Sequence, residues 1–450
     1  MVESSIQDDK PIVAKWKPLI LALMIVALLL RITAAVVVER HVQNAGRSFL
    51  IEGDANGYWQ LAQNIAAGTD YAIYTPPRRV LRVPGFPLLL AGCIKLFGDN
   101  IFAARIVLAV IGTACCWLTY RLGSRLHMHR TGFWAALFVA VNPLHVGNSV
   151  LILSETWFAF WMLLSLLSLL WWMDNSSKVA PCSTSAPCST LAPCPKRLTF
   201  RAAITGLLTG IATLVRPGYL PWLAVSCVAS LLLLKYSKTD GEIRTTVAAS
   251  WRLRFLACLG LLTGCFAVML PWAVRNQAVT GHWIVTSLWS GPSLYDGLNP
   301  SATGASDMTF FDEENVLDRM SEYEMNQHYK SRAVKFALQN PSRTLILAFH
   351  KAAFFLSPVP NHIKSAGWEI SVVCTVFGAF CVVLCVVGFC SKEWDAVGLL
   401  VMVGPLLLFL LVHMVFVGSV RYRLPLEFPL AVLAAIGWRR VALRGAAVRR

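Results

Sequence analysis

Two acids in this chain stand where chemistry could use them. Asp54 lies in "IEGDANGYWQLA" (51–62), just beyond an apolar run long enough to cross a bilayer, about 20 residues. Glu155 lies in "LILSETWFAF", at the head of another apolar run. A carboxylate within about 3 Å of a hydroxyl can take its proton as that hydroxyl attacks. Bases accompany the acids: Arg78 and Arg82 in "TPPRRVLRVPGFP", Arg216 in "LVRPGYLPW", Arg275 in "PWAVRN", Lys351, and Arg421 and Arg423 in "RYRLPLEFPL". Arginine is always charged and offers a fork of donors that grips a phosphate at two points. Ionisable groups at membrane depth are expensive and usually face a cavity or a partner. Acids and bases gathered at one membrane boundary therefore suit a reaction on an anion that lives in the membrane, and a lipid phosphate fits.

Each residue also has a plainer reading. Asp54 is expected in a loop, where an acid needs no special reason. Ser154 and Glu155 can serve a helix N-terminus, where negative charge is favoured. Arg78, Arg79 and Arg82 precede a surface helix and could hold any anionic headgroup at about 1 kcal/mol each. The pair in "RYR" is placed on the outside, where the charge rule discourages it. Tyr58 is grouped with the substrate-binding residues and, with Trp59, anchors the helix that bears Asp54. Trp272, Trp283, Trp289 and Tyr422 read as interface anchors without chemistry.

The elements that must position these groups follow from composition. Of 450 residues, 56% are hydrophobic and 14% charged, against about 25% charged in an average globular protein. The fold class read from this is an all-α polytopic membrane protein with about ten transmembrane helices. The formal net charge is +16, with Lys and Arg collected in short loops and at the C-terminus. That pattern orients a membrane protein; no aromatic-plus-basic motif for nucleic acid is seen. The charge rule puts the tail 1–16 in the cytoplasm and makes 17–440 the membrane domain. Within it, 39–100 forms a first outer loop in which "PGFPLLLAGCIKLFG" is too short and Pro-broken to cross, so it lies on the surface. The Cys/Pro/Ser segment 174–200 is cytoplasmic, 274–342 is a long outer loop, and the basic tail 441–450 returns to the cytoplasm. Crossings are expected near 17–38, 101–122, 132–146, 150–172, 202–215, 218–236, 255–273, 368–390, 397–417 and 424–438. The stretch 343–360 reads as a surface or re-entrant segment, because a further crossing would export the basic C-terminus. The first run reads as a signal anchor rather than a cleaved leader. "GLLTGIATLVRP" (206–217) echoes "GLLTGCFAVMLP" (260–271). Both carry GxxxG, which lets helix backbones approach, and shared packing needs explain the echo more simply than duplication.

Most cysteines lie inside apolar runs, where Cys behaves as a small hydrophobe. Cys182, Cys188 and Cys194 recur every six residues beside Pro, which is not zinc spacing and reads as a low-complexity linker. His145, His350 and His413 are scattered, so no dedicated transition-metal site is expected.

The order of blocks then resembles something known. "GDANGYWQLAQNIAAG", "RVPGFPLLLAGCIKLFG", "AARIVLAVIGTACCWLTYRLGSRL", "NPLHVGNSVLILSETWFAF", "LVRPGYLPW", "PWAVRN" and "RYRLPLEFPLAVLAAIG" follow one another as in the polytopic GT-C glycosyltransferases. The likeness runs over about residues 15–440 and is nearest the bacterial mannosyltransferase and aminoarabinose-transferase-like group, akin to glycosyltransferase family 39. It implies a helical bundle with surface helices in the first outer loop. It implies sugar transfer from a polyprenyl-phosphate donor to a lipid, glycan or protein acceptor, on the extracytoplasmic side of the cytoplasmic membrane. By the same resemblance Asp54 matches an essential Asp, Arg82 a base that contacts the donor phosphate, and Glu155 the acid opening a later helix. Arg216, Arg275 and Arg421 match the arginines of their blocks. The first loop has one well-placed acid rather than an adjacent acidic pair, a departure from the protein-O-mannosylating branch. The resemblance fixes no cofactor and leaves room for a divalent metal. A lipid-linked sugar transporter or flippase is the alternative, since buried charge and broken helices would serve it too; transporters usually add inverted repeats and midplane polar sites.

Overall fold

The computed structural model describes residues 9–175, 195–240, 243–357 and 368–448. In chain order its helices are α1 (Asp9–Asn44), α2 (Glu52–Ala67), α3 (Gly85–Phe97), α4 (Ile101–Leu126), α5 (His129–Val141), α6 (Pro143–Asn148), α7 (Glu155–Asn175), α8 (Pro195–Val215) and α9 (Pro221–Leu233). An antiparallel hairpin follows, β1 (Lys235–Asp240) against β2 (Ile243–Ala248), with Lys235 opposite Ala248. Then come α10 (Trp251–Thr280), α11 (Ser290–Gly297), α12 (Thr309–Glu313), α13 (Val316–Arg319), α14 (Glu322–Gln339), α15 (Pro341–Leu356), α16 (Trp368–Ser391), α17 (Ala396–Val415) and α18 (Val420–Val448). The hairpin is a small addition to the helical architecture, placed in the basic loop between α9 and α10.

Seven of these helices are long and apolar enough to cross a membrane. They are α1, α4, α7, α8, α10, α16 and α17. The count of ten expected from sequence is not reached by this measure. α5 and α9 have 13 residues each, where a crossing takes about 20. The run expected at 132–146 is divided by Pro143, which ends α5 and opens α6. α18 has 29 residues but carries Arg421, Arg423 and Glu427 in its first turns and two internal prolines. The basic tail continues α18 as helix to Val448. The cysteine repeat at Cys182, Cys188 and Cys194 lies outside the described residues.

Buried arginines mend the breaks in these helices. Pro143 has no N–H to give the carbonyl one turn back, so carbonyls at the end of α5 need other donors. Arg31 of α1, fully buried, supplies them, reaching Ala140 O and Val139 O, both at 3.3 Å. Arg105 of α4 does the same for irregular backbone, donating to Ser48 O and Val150 O at 3.0 Å while pairing with Glu39 at 3.0 Å.

The two GxxxG echoes face each other. A Cβ on Gly206 of α8 would stand 2.0 Å from Leu261 O of α10, and one on Gly264 of α10 would stand 1.9 Å from Ala203 O. Only hydrogen fits there, so the glycines bring the two backbones into direct contact.

Two long segments, one between α1 and α4 and one after α10, fold onto each other. Leu61, Ile73 and Leu81 from the first pack with Tyr295, Phe311, Met325 and Tyr329 from the second in a separate apolar core. The segment 274–342, read from sequence as a polar loop, thus holds the end of α10 and four further helices, α11 to α14. Its capping box at Ser321 and Glu324 explains why α14 starts where it does. Glu322 fastens the segments together by accepting the Arg79 and Val80 backbone N–H groups, both at 2.9 Å.

Candidate active site

The cluster begins with α2. Its N-cap, Ile51, has no side-chain oxygen, and the acids Glu52 and Asp54 occupy the first turn, where free N–H groups favour negative charge. Asp54 therefore stands in the first turn of the helix that also carries Tyr58 and Trp59, rather than in a loop. Its Oδ1 accepts from Arg82 Nη2 at 2.9 Å and its Oδ2 from Arg421 Nη2 at 2.5 Å. Tyr58, one turn along the same face, puts its ring 4.6 Å from Arg82 Cζ. One helix thus grips one guanidinium twice.

Arg421 sits in the first turn of α18 and turns its Nε to Glu155 Oε1, 2.5 Å away. Glu155 opens α7 and is fully buried. Its second neighbour is Arg216, Nη1 at 3.5 Å. Pro217 holds Arg216 in extended backbone, φ −140° and ψ 108°, which ends α8 and swings the side chain toward Glu155. The Tyr422 ring lies 4.9 Å from Arg216 Cζ and 5.4 Å from Arg421 Cζ. The charges alternate along Arg82, Asp54, Arg421, Glu155 and Arg216, so guanidiniums exceed carboxylates by one. Neither Glu155 oxygen receives a well-aligned hydrogen bond among the described residues, so its attraction to Arg421 is one of charge and proximity. Burial alone would raise the Asp54 carboxyl, but the charges and hydrogen bonds of Arg82 and Arg421 outweigh it and hold it far below the usual carboxylate range.

A cavity of about 460 Å³ adjoins the cluster. Arg82, Arg216, Tyr58, Ser154, Tyr422 and His413 border it, with Trp289, Ser290 and Ser293 contributed by the segment after α10.

Four other residues proposed from sequence lie elsewhere. Arg78, 3% exposed, donates to Leu317 O at 2.5 Å and Met320 O at 2.8 Å, tying the segment before α3 to the one after α10. Arg275 donates to Arg79 O at 2.6 Å and Tyr71 O at 3.3 Å, and its guanidinium rests against the Tyr71 and Trp272 rings. Lys351 is fully buried and gives its ammonium to Val415 O at 2.7 Å. Arg423 pairs with Glu427 at 2.7 Å and borders a second cavity, of about 390 Å³, with His145 and Asn142. "RYR" looks like one unit in sequence, but helical residues two apart point to nearly opposite sides. Arg421 therefore meets Asp54 and Arg423 does not.

The converse also occurs. Tyr422, read only as an anchor, separates Arg216 from His413, which stacks on its ring at 4.4 Å. Nothing in spacing flags His413. For Tyr422 the flanking arginines were a usable signal. Nor do the acids form a metal cage. Both are engaged by guanidiniums, and no cluster of three or more His, Cys, Asp or Glu suited to a metal occurs among the described residues.

Comparison with known proteins agrees with this architecture. Residues 81–183 match the family described as dolichyl-phosphate-mannose-protein mannosyltransferase. No curated protein matches the chain. The oligosaccharyltransferase AglB of Archaeoglobus fulgidus, solved with an inhibitory peptide and a dolichol-phosphate, superposes with a TM-score of 0.50 at 14% identity, over 96% of this chain and 52% of AglB. The chain therefore spans about half the length of that enzyme. ArnT from Cupriavidus metallidurans, solved with undecaprenyl phosphate, aligns at 14% identity over 95% of this chain and 78% of its own, with a TM-score of 0.37. With the helical bundle, the structural match and the mannosyltransferase match in hand, the chain is a polytopic membrane protein of the GT-C fold.

Proposed function

We propose that this protein is a membrane glycosyltransferase that moves a sugar from a polyprenyl-phosphate donor to a hydroxyl or amine-type group of a lipid, glycan or protein acceptor. The observation that carries the reading is Asp54 held between Arg82 and Arg421, beside a cavity at one end of apolar helices. The mannosyltransferase match over 81–183 supports it. By the positive-inside rule the N-terminus is cytoplasmic and the site faces outward from the cytoplasmic membrane.

The chemistry follows from charge. As the bond between the anomeric carbon and the phosphate oxygen breaks, negative charge grows on the lipid phosphate. Fixed guanidiniums at that oxygen stabilise the transition state more than the ground state. Arg82, Arg421 and Arg216 are the candidates. The acceptor hydroxyl attacks the anomeric carbon from the opposite face, which inverts it, and its proton passes to Asp54. A phosphate leaving group departs without protonation, so one acid suffices. Glu155 positions Arg421 and Arg216.

A transporter of lipid-linked sugars would gather polar groups near the membrane midplane. Here Asp54, Glu155 and their arginines collect at helix ends. The test is transfer by purified protein from a synthetic polyprenyl-phosphate sugar, without a membrane gradient. Wild-type protein should transfer, and Asp54→Asn should fold and insert normally yet transfer nothing. Undiminished transfer by Asp54→Asn would refute the assignment.

A further inference from the structure

His413 stands in the last turn of α17, and its ring borders the cavity that Arg82 and Arg216 also line. Its Nδ1 lies 2.8 Å from Val417 O. A carbonyl oxygen only accepts, so Nδ1 carries the proton, and the lone pair of the neutral ring is on Nε2. The ring is also clamped. Tyr422 stacks on it with centroids 4.4 Å apart and planes 11° apart, and Phe355 and Phe409 lie at 5.6 and 5.9 Å. This fixes the orientation of an acceptor-bearing ring on a residue that lines a cavity where Arg82, Arg216 and the Trp289 indole can only donate.

The position relative to the guanidiniums matters next. The Tyr422 ring centroid is 4.9 Å from Arg216 Cζ and 4.4 Å from the His413 ring. Imidazole and guanidinium thus both pack on the same phenol, and both residues line the one cavity. A sugar phosphate bound at Arg216 would bring the sugar hydroxyls, which are donors, toward Nε2.

We propose that His413 Nε2 accepts a hydrogen bond from a hydroxyl of the sugar carried by the donor, and so helps to decide which sugar the cavity admits. This inference rests on the glycosyl-donor reading given above. A site built to hold a hydroxyl rejects ligands that lack it, because its own polar atom is then left unpaired.

The test compares full-length wild type, His413→Gln and His413→Phe. Gln can return an acceptor oxygen near the Nε2 position, whereas Phe keeps the ring stack and removes the acceptor. His413→Phe should raise the donor KM about tenfold, with kcat and acceptor KM little changed, and His413→Gln should stay within roughly threefold of wild type. A second measurement needs no turnover. Thermal stabilisation of the purified proteins by polyprenyl phosphate is compared with that by its mannosyl derivative, also in an Asp54→Asn background in which transfer is off. Wild type should respond more strongly to the mannosyl compound, and His413→Phe should lose that preference while still responding to the bare phosphate. An unchanged donor KM and an intact preference in His413→Phe overturn the proposal. A rise confined to the acceptor KM also overturns it, by moving the hydroxyl to the acceptor. Failure of transfer in wild type would strike the glycosyltransferase reading, whereas absence of the sugar preference strikes only His413.

Discussion

Removing Arg421 should damage stability and activity by separate routes, and a second substitution should divide them. In Arg421→Ala the fully buried Glu155 keeps only Arg216, at 3.5 Å. Removing one partner of a buried pair destabilises by about 3–5 kcal/mol, and the remaining Arg216 sets the loss here toward the lower end. Asp54 contributes less, since its side chain is 29% exposed and still pairs with Arg82; losing one arm there is worth about 1 kcal/mol or less. Adding Glu155→Gln to Arg421→Ala removes the stranded charge and should restore most of the lost stability. Activity should not return. A guanidinium aimed at a departing phosphate oxygen acts like one donor of an oxyanion hole, so its removal should lower kcat about 100- to 1,000-fold in the single and double variants alike. The assays are thermal unfolding in detergent and transfer from a synthetic polyprenyl-phosphate sugar. If the double variant is no more stable than Arg421→Ala, Glu155 is not the charge that Arg421 neutralises. If stability and activity return together, Arg421 holds the fold and takes no part in transfer.

Three further outcomes are expected. Gly206→Val should prevent accumulation of folded protein, because a Cβ there would lie 2.0 Å from Leu261 O, whereas Gly92→Ala, with nothing within 4 Å, should be neutral or slightly stabilising; detergent-solubilised yield by size-exclusion chromatography checks both. Arg78→Ala should expose the backbone around Leu317 and Met320 to limited proteolysis while the membrane helices stay protected, because it deletes the donor to both carbonyls. The stability difference between wild type and Asp54→Asn should persist from neutral pH to about pH 4, since the folded Asp54 carboxyl is held below its ordinary 3.8 and its contribution fades only as pH falls through that lowered value. A difference that vanishes between about pH 7 and pH 5 would contradict the two-arginine clamp.

The bundle was legible because apolar length and charge bias are properties of single segments. So were α2 and α7, each announced by an acid at the head of a run. What the sequence hid was direction. Arg78, Arg82 and Arg275 are alike as basic residues near an outer boundary, yet only Arg82 turns toward the cavity. Arg78 and Arg275 bind backbone carbonyls of Leu317, Met320, Arg79 and Tyr71. That depends on how residues 70–82 fold against 308–322, a pairing between segments about half the chain apart that local pattern does not encode. The division of "RYR" needed the phase at which α18 begins, and helix ends are poorly fixed by sequence. The two GxxxG blocks were visible as an echo, but only the packed backbones make them each other's partners.

The alternating charges of the cluster bear on timing. A carboxylate shared by two guanidiniums is a weak base, because the interactions that hold it also favour its charged form. A donor phosphate brought to Arg82 and Arg421 competes for the same N–H groups. Whatever share it takes is lost by Asp54, whose carboxyl must then rise toward its ordinary value. Basicity would therefore increase as the leaving group becomes solvated by arginine, and both changes favour transfer over idle ionisation. Glu155 differs from the part-exposed Asp54 in that it is wholly buried, against Arg421 and Arg216. On the proposed function it would keep Nε of Arg421 neutralised while Nη2 exchanges the Asp54 carboxylate for phosphate. On this account the two acids are not a catalytic pair of equals: Asp54 yields its arginines to the substrate, and Glu155 keeps Arg421 in place while that happens.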